Sequence, residues 1–437
     1  MFSYYFMLGI RSLRRNPALT ALMVLTLAIG VAASVATLTI LHVMSGNPIA
    51  HKSERLFVPK IDAGPSEDFN PGAEDRSDPQ ATYTDAVNFL KSGQGERRTV
   101  LYSVSAPLEP DRKDLAVMSV RGIAPTRDFF AMMDVPFRYG QPWSEADERA
   151  GADVVVLSSA LAEKLFGAVD PVGKRIRLMD AQFQVVGVLK PWLPAPKFYK
   201  LIGGKHFGEE EDIMVPFSTA IRHESNPEGS VSCRGRTEPG WQGFLASECT
   251  WLQVFFETRT GAGRAELQDY LNNYADGQRK LGRLKRNQPN QLFDVAQWLE
   301  YHKVVGKDSR LAVWLAFGFL LLCLVNTVGL LLAKFSVRAS EVGIRRALGA
   351  SRREIFQQFL IETAVIGLAG GVLGVVLAFG ALSMVGMQSQ ELQIVTRMDW
   401  QMLGLTFLMS IAAAMLAGLL PTWRACQVTP AIQLKSQ

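Results

Sequence analysis

The sequence predicts an α-helical membrane protein. It has four transmembrane helices and a large mixed α/β extracytoplasmic domain inserted between helices one and two. Three observations carry this reading. Apolar runs at 18–50, 311–333, 355–387 and 401–423 contain one charged side chain among them, Glu362. Each exceeds the roughly 20 residues that a helix needs to cross the hydrocarbon core. The polar block between the first two runs is far too long for a loop, and it leaves one big domain on one side of the bilayer. The runs also lack the period-two alternation of a membrane barrel, so helices must satisfy their backbone in lipid.

The elements follow in order. Residues 1–16 place Phe2, Phe6, Ile10 and Leu13 near helical spacing, with Arg11, Arg14 and Arg15 at the membrane entrance. That pattern predicts an interfacial amphipathic helix. Span one follows at 17–45, and the extracytoplasmic domain fills 46–308. Span two is expected at 309–334, a cytoplasmic segment at 335–354 and span three at 355–387. A short external loop (388–400), span four (401–422) and a cytoplasmic tail (423–437) complete the chain.

Orientation follows from Lys and Arg in the short flanks. Besides the three N-terminal arginines, Lys334, Arg338, Arg345, Arg346, Arg352 and Arg353 crowd the segment between spans two and three, and Arg424 follows span four. The loop between spans three and four sets Arg397 against Glu391 and Asp399. Both termini are therefore expected in the cytoplasm and the large domain outside. Run one is too long for a signal-peptide core and continues where a cleavage site would end it. The chain carries 46 Lys and Arg against 41 Asp and Glu. This small excess is mostly topological and gives no reason to expect nucleic acid as a partner.

Of the four cysteines, Cys233 and Cys249 fall outside, where disulfides persist. A bridge closing that loop would contribute about 3 kcal/mol; the alternative is two buried thiols.

The segment Ser340–Ala350 predicts a short helix. Glu341 and Arg345 are i,i+4 partners in the favourable order. Ile344 and Leu348 share a face, and Gly349 suits a C-terminal cap. Ser351-Arg352-Arg353-Glu354 then reads as a capping box that starts the next helix. In span three, Gly367/Gly371 and Gly370/Gly374 form interlaced small-xxx-small pairs. They allow close approach within the bundle or against a second copy. Glu362 lies near the cytoplasmic end, where it can reach the interface or pair with a basic residue; Asn326 is the other polar intruder.

Glu341-Val342-Gly343-Ile344-Arg345-Arg346-Ala347-Leu348-Gly349-Ala350 resembles the signature of MacB/FtsX-type ABC transporter permeases. Arg11-Ser12-Leu13-Arg14-Arg15-Asn16-Pro17 is similar to that family's N-terminus. Leu420-Pro421-Thr422-Trp423-Arg424-Ala425 with Thr429-Pro430-Ala431 is similar to its C-terminal end, departing at Thr422, Trp423 and Cys426. Within the block, Gly122-Ile123-Ala124-Pro125, Phe129-Phe130 and Pro136–Gly140 resemble the family's periplasmic core. So does Val154–Ser158, running through Leu165-Phe166-Gly167 to Asp170–Lys174.

Bottom-up, that last stretch reads strand, Ser-capped helix, Gly stop and turn. Arg175–Leu178 and Phe183–Val188 predict a hairpin across Met179-Asp180. Ala265–Tyr274 predicts a helix with Leu267, Leu271 and Tyr274 on one face. The resemblance implies a ferredoxin-like lobe built from both ends of the block, with a β-rich insertion between them. Region 190–260 carries no recognised pattern.

The resemblance implies a permease subunit without a fused ATPase domain, so not itself an enzyme. Its partners would be two cytoplasmic ABC ATPase chains holding ATP and Mg, and a second permease, identical or paralogous. No cofactor is expected on this chain. Residues 341–349 would be the coupling helix, and ATPase closure would be transmitted to the periplasmic domain with no path through the bilayer. Tripartite export from the inner membrane, through a periplasmic adaptor and an outer-membrane channel, is the implied role. Lipoprotein release, regulation of a cell-wall hydrolase and peptide signalling are the alternatives.

No catalytic or metal site is expected. The stretch from Gly167 to Arg175 has one residue too many between its glycines for a phosphate loop, and Arg175 where Ser or Thr should hold magnesium. The histidines (His42, His51, His206, His223, His302) lack ligand spacing. Ser158 and Ser159 lack a nucleophile-elbow context. The Glu209-Glu210-Glu211-Asp212 run reads as a solvated loop.

Overall fold

The computed structural model describes residues 16–61, 79–112, 114–202, 206–233, 237–287, 289–305 and 307–388, with scattered helical positions between 404 and 423. The chain divides into two compact units, residues 1–45 with 305–437, and residues 46–304. The expected N-terminal helix, external loop, fourth span and tail lie outside the described residues, apart from those scattered positions.

Helix α1 (Pro17–Ser45) leads into the polar unit, whose first sheet draws on both ends of the inserted block. Strand β1 (Leu56–Lys60) comes first, then β2 (Ala81–Thr82), helix α2 (Tyr83–Lys91) and β3 (Arg97–Leu101). The Thr82 hydroxyl caps α2 by accepting from the Asp85 N–H.

The middle of the block folds as a separate sheet. Its strands are β4 (Ser103–Glu109), β5 (Met118–Ile123), β6 (Phe137–Gly140), β7 (Val154–Leu157), β8 (Arg175–Leu178), β9 (Ala181–Leu189) and β10 (Ile213–Met214). Four short helices accompany them: α3 (Asp128–Met132), α4 (Glu145–Ala150), α5 (Ser159–Phe166) and α6 (Phe217–Arg222). The pairings β8–β9–β7–β10–β5–β4 return to β8, closing a six-stranded ring with β6 alongside β9. Alternation fills its interior. Val104, Ala106, Leu108, Ile176 and Leu178 are buried, while Arg175 and Arg177 face out. Gly122 is required where β5 meets β10, because a Cβ there would lie 1.9 Å from the Ile213 carbonyl oxygen.

The expected hairpin forms. Met179 and Asp180, at φ 52° and 57°, link β8 to β9, with Leu178 opposite Ala181. The Ser158 hydroxyl accepts from the Leu161 N–H to cap α5, and Gly167 stops that helix at φ 73°.

The chain then returns to the first sheet through α7 (Gly240–Ala246), β11 (Thr250–Glu257), α8 (Gly263–Lys280), β12 (Gln291–Asp294) and α9 (Val295–Tyr301). Strand β11 is buried along its whole length and is the sheet's centre. It pairs antiparallel with β1, β2 and β3. Strand β12 pairs antiparallel with β1 at the edge. There Gln268 and Arg264 of α8 donate to the carbonyls of Asn290 and Leu292, which blunts the edge against further pairing. Helix α8 seats Leu267, Leu271 and Ala275 at four-residue spacing.

Two features depart from the sequence reading. Region 190–260 contains the central strand of a sheet. The acidic run is not simply solvated: Glu211 is buried, 2.9 Å from Lys197 Nζ and 3.2 Å from Lys200 Nζ. Burial alone would raise its pKa, but the two lysines outweigh burial and hold the carboxyl below its usual range. Cys233 and Cys249 are joined by a disulfide that ties the preceding loop to the start of β11.

Helices α10 (Lys307–Val337), α11 (Ala339–Ala347) and α12 (Arg352–Gln388) belong with α1 to the other unit. Among the described residues, three helices are long and apolar enough to cross a membrane: Pro17–Ser45, Leu311–Val337 and Arg352–Met387. Helix α12 lies close against α1. A Cβ on Gly370 would sit 2.9 Å from Leu27 Cβ, and one on Gly374 2.8 Å from Val31 Cβ. Gly367 and Gly371 are also buried. For Gly370 and Gly374, close packing within the chain is thus the arrangement found. Asn326 is exposed on α10.

Two outcomes are expected. Gly374→Val should destabilise the membrane unit by about 1–3 kcal/mol through overpacking, measured by thermal unfolding of the full chain in detergent; Gly380→Val, with open space around it, should change little. His302 packs 4.1 Å from the Trp298 ring, and its buried Nε2 has no hydrogen-bond partner among the described residues. Burial, His206 and Lys60 push its pKa from 6.5 to about 4. The folded chain therefore refuses a proton that the unfolded chain accepts. Stability should fall as pH drops through that window, and the unfolding temperature of His302→Gln should fall less steeply.

Candidate functional site

The site is the short helix between the second and third long helices. Arg338 is the single residue separating α10 from α11. Its carbonyl accepts from the Val342 N–H, so the turn between the helices remains hydrogen-bonded. At the other end the Ala350 N–H reaches the Arg345 carbonyl at 3.0 Å, the longer bond of a Schellman ending, with Gly349 at φ 101°. A Cβ at that φ is strained, which is why glycine stands there. Ser351 and Glu354 exchange hydrogen bonds at the start of α12. The Ser351 hydroxyl accepts from the Glu354 N–H, and the Glu354 carboxylate from the Ser351 N–H. A one-residue joint at its start and a sharp stop at its end bound a helix of nine residues.

This helix has two faces. Val342 is buried in a cluster with Met23, Leu27, Phe335, Ile355 and Phe359. Arg345 pairs with Glu341 at 2.6 Å and donates to the Gln358 side chain at 3.1 Å. These contacts fasten one side of α11 to α12. Ile344, about half a turn from Val342 around the axis, is 62% exposed, and Leu348, one turn on from Ile344, is 83% exposed. Both are aliphatic side chains that the rest of the unit leaves uncovered. Gly343, Arg346 and Ala347 complete the helix.

Beneath it lies a buried charge cluster. Glu362 of α12 is 2.6 Å from Lys334 Nζ of α10, and both side chains are essentially fully buried. Arg338 Nη1 adds contacts of 3.3 and 3.2 Å to the two Glu362 oxygens. The sequence marks Glu362 as an intruder that could pair with a basic residue. It does not single out Lys334, which looks like an ordinary topological charge at a span end. The signal was the i,i+4 spacing of Lys334 and Arg338, which puts both on one face of the chain leaving span two.

Among the described residues no group of three His, Cys, Asp or Glu side chains is placed to hold a metal. The stretch from Gly167 to Arg175 forms the end of α5, a turn and the start of β8.

The profile of the MacB-like periplasmic core domain matches residues 20–274, and that of the FtsX-like permease C-terminal region matches residues 313–430. The Macrolide export ATP-binding/permease protein MacB of Azoarcus sp. is 26% identical over 98% of this chain and 59% of its own length. The Pyoverdine export ATP-binding/permease protein PvdT of Pseudomonas aeruginosa is 25% identical over 71% of this chain and 41% of its own. The chain thus spans only part of the length of these curated relatives. The crystal structure of the periplasmic region of MacB from Actinobacillus actinomycetemcomitans aligns over 56% of this chain and 92% of that one, at 13% identity and a TM-score of 0.34. One family profile covers more than half of the chain and a second covers the region that holds α11, and on that ground the chain belongs to the MacB/FtsX-type ABC transporter permeases.

Proposed function

We propose that this chain is the permease subunit of an ATP-driven exporter and that α11 is the coupling helix on which a cytoplasmic ABC ATPase docks. The observation that carries the reading is the division of α11 into an anchored face and a free one. Val342 and Arg345 hold it to the bundle, and Ile344 and Leu348 are presented outward. A rod fastened in this way moves as a body when its outer face is pushed. The polar unit then lies in the periplasm and both termini in the cytoplasm, as the basic flanks require. Two ATPase chains carry ATP and Mg, and two permeases assemble, so that ATPase closure is transmitted to the periplasmic unit.

The names of the relatives favour export over lipoprotein release or hydrolase regulation. An adaptor and an outer-membrane channel would complete the path.

The docking test should spare the anchored face. Arg345 is engaged with Glu341 and Gln358, so charge reversal there would disturb the fold as well as docking. Ile344→Asp with Leu348→Asp changes only exposed positions. This variant should keep its stability within about 0.5 kcal/mol of wild type, yet lose the ABC ATPase in affinity purification from membranes. Retention of the ATPase at wild-type levels would remove α11 as the docking element.

A further inference from the structure

The Lys334–Glu362–Arg338 cluster is more than a means of keeping charges out of lipid. Arg338 occupies the joint between α10 and α11. Its guanidinium reaches both oxygens of Glu362, while its carbonyl accepts from the Val342 N–H within the α11 turn. The Lys334 ammonium also reaches that carboxylate, and the Phe335 and Phe359 rings of the two helices meet at a tilt of 31° with centroids 4.3 Å apart. A displacement of α11 therefore either carries Glu362 and α12 with it or separates a buried charge from its partners, which is costly. Helix α12 in turn packs on α1 at Gly370 and Gly374, where Leu27 and Val31 of α1 lie directly against the glycine backbone. Helix α1 is continuous in sequence with the polar unit.

We propose that Glu362 is a positioning residue that locks α11 to α12, so that motion of the short helix is delivered to α1 through α12 as well as directly along α10. The proposal rests on the reading of α11 as the coupling helix. It assigns to the third long helix a part in transmission that its sequence, apolar and glycine-rich, does not advertise.

The test uses the full chain with its co-purified ABC ATPase, reconstituted in vesicles. Two readouts are taken: retention of the ATPase, and the ATP-dependent change in amide hydrogen exchange of residues 46–304. Glu362→Gln removes the charge and keeps the shape. Lys334→Met with Glu362→Met replaces the buried pair by apolar side chains of similar volume, which restores stability without restoring the lock. Both variants should retain the ATPase, and the ATP-dependent exchange difference should fall about tenfold, within the usual range of coupling between sites. Glu362→Asp, which keeps the charge, should recover part of it.

A wild-type response in either the Gln variant or the double Met variant would overturn the proposal and leave the cluster a purely structural device. If the Ile344→Asp, Leu348→Asp chain still retains the ATPase, the coupling reading itself fails and this inference falls with it. If that chain loses the ATPase while the Glu362 variants respond normally, only the inference fails.

Discussion

The antiparallel pairing of β1 with β12 is the constraint around which the polar unit is built. The chain enters this unit after Ser45 and leaves it near residue 305, so its first and last strands must end up close together. They do so as neighbours, with Phe57 opposite Asp294 and Lys60 opposite Gln291. Everything between can then vary in size without moving the two points of attachment. The six-stranded ring uses this freedom. It is inserted between β3 and β11, and its strands pair only with one another. Its side chains nonetheless pack on the sheet that carries it: one buried cluster joins Val104, Leu157 and Ile176 of the ring to Val100, Leu252 and Phe256 of the sheet.

The membrane unit follows a different logic. Lipid supplies no hydrophobic drive between helices, so contact depends on close packing and on polar groups that have nowhere else to go. Gly370 and Gly374 provide the first against Leu27 and Val31. Lys334, Arg338 and Glu362 provide the second. Helix α1 is the shared neighbour: it packs on α12 at Gly370 and Gly374, and on α10, where Gly30 lies against Cys323 and the Ser34 hydroxyl donates to the Ala316 carbonyl, while α10 and α12 meet at the Glu362 cluster.

Local signals in the sequence were dependable where they concerned caps and turns. Ser158, Gly167, Ser351, Glu354, Gly349 and the Met179-Asp180 turn act where short-range chemistry places them, because each satisfies its hydrogen bonds within a few residues. The short helix was legible for the same reason: its end is written in Gly349, the start of the next helix in Ser351, and its internal pair in Glu341 and Arg345. Long-range facts were less accessible. Strand β11 was hidden in a stretch judged by its Pro, Gly and charge, although the run from Trp251 to Phe256, apolar except at Gln253, has the character of a doubly buried strand. Glu211 looked like one of four exposed acids. Only folding brings Lys197 and Lys200 to it. What made Ile344 and Leu348 a surface, and Val342 an anchor, was likewise the position of Met23, Leu27 and Phe359, which are distant in sequence.

The central place of β11 also has a consequence for the order in which the molecule can be assembled. During synthesis β1 and β3 emerge early, yet both take β11 as their neighbour, and β11 follows only after the whole ring has been made. Until then β1, β2 and β3 have edges that no described strand made so far covers. The ring draws all its partners from one continuous stretch and need not wait. Unpaired strand edges are the sites at which nascent chains aggregate, so the interval between translocation of residue 101 and of residue 257 is when this protein most needs shelter from its neighbours.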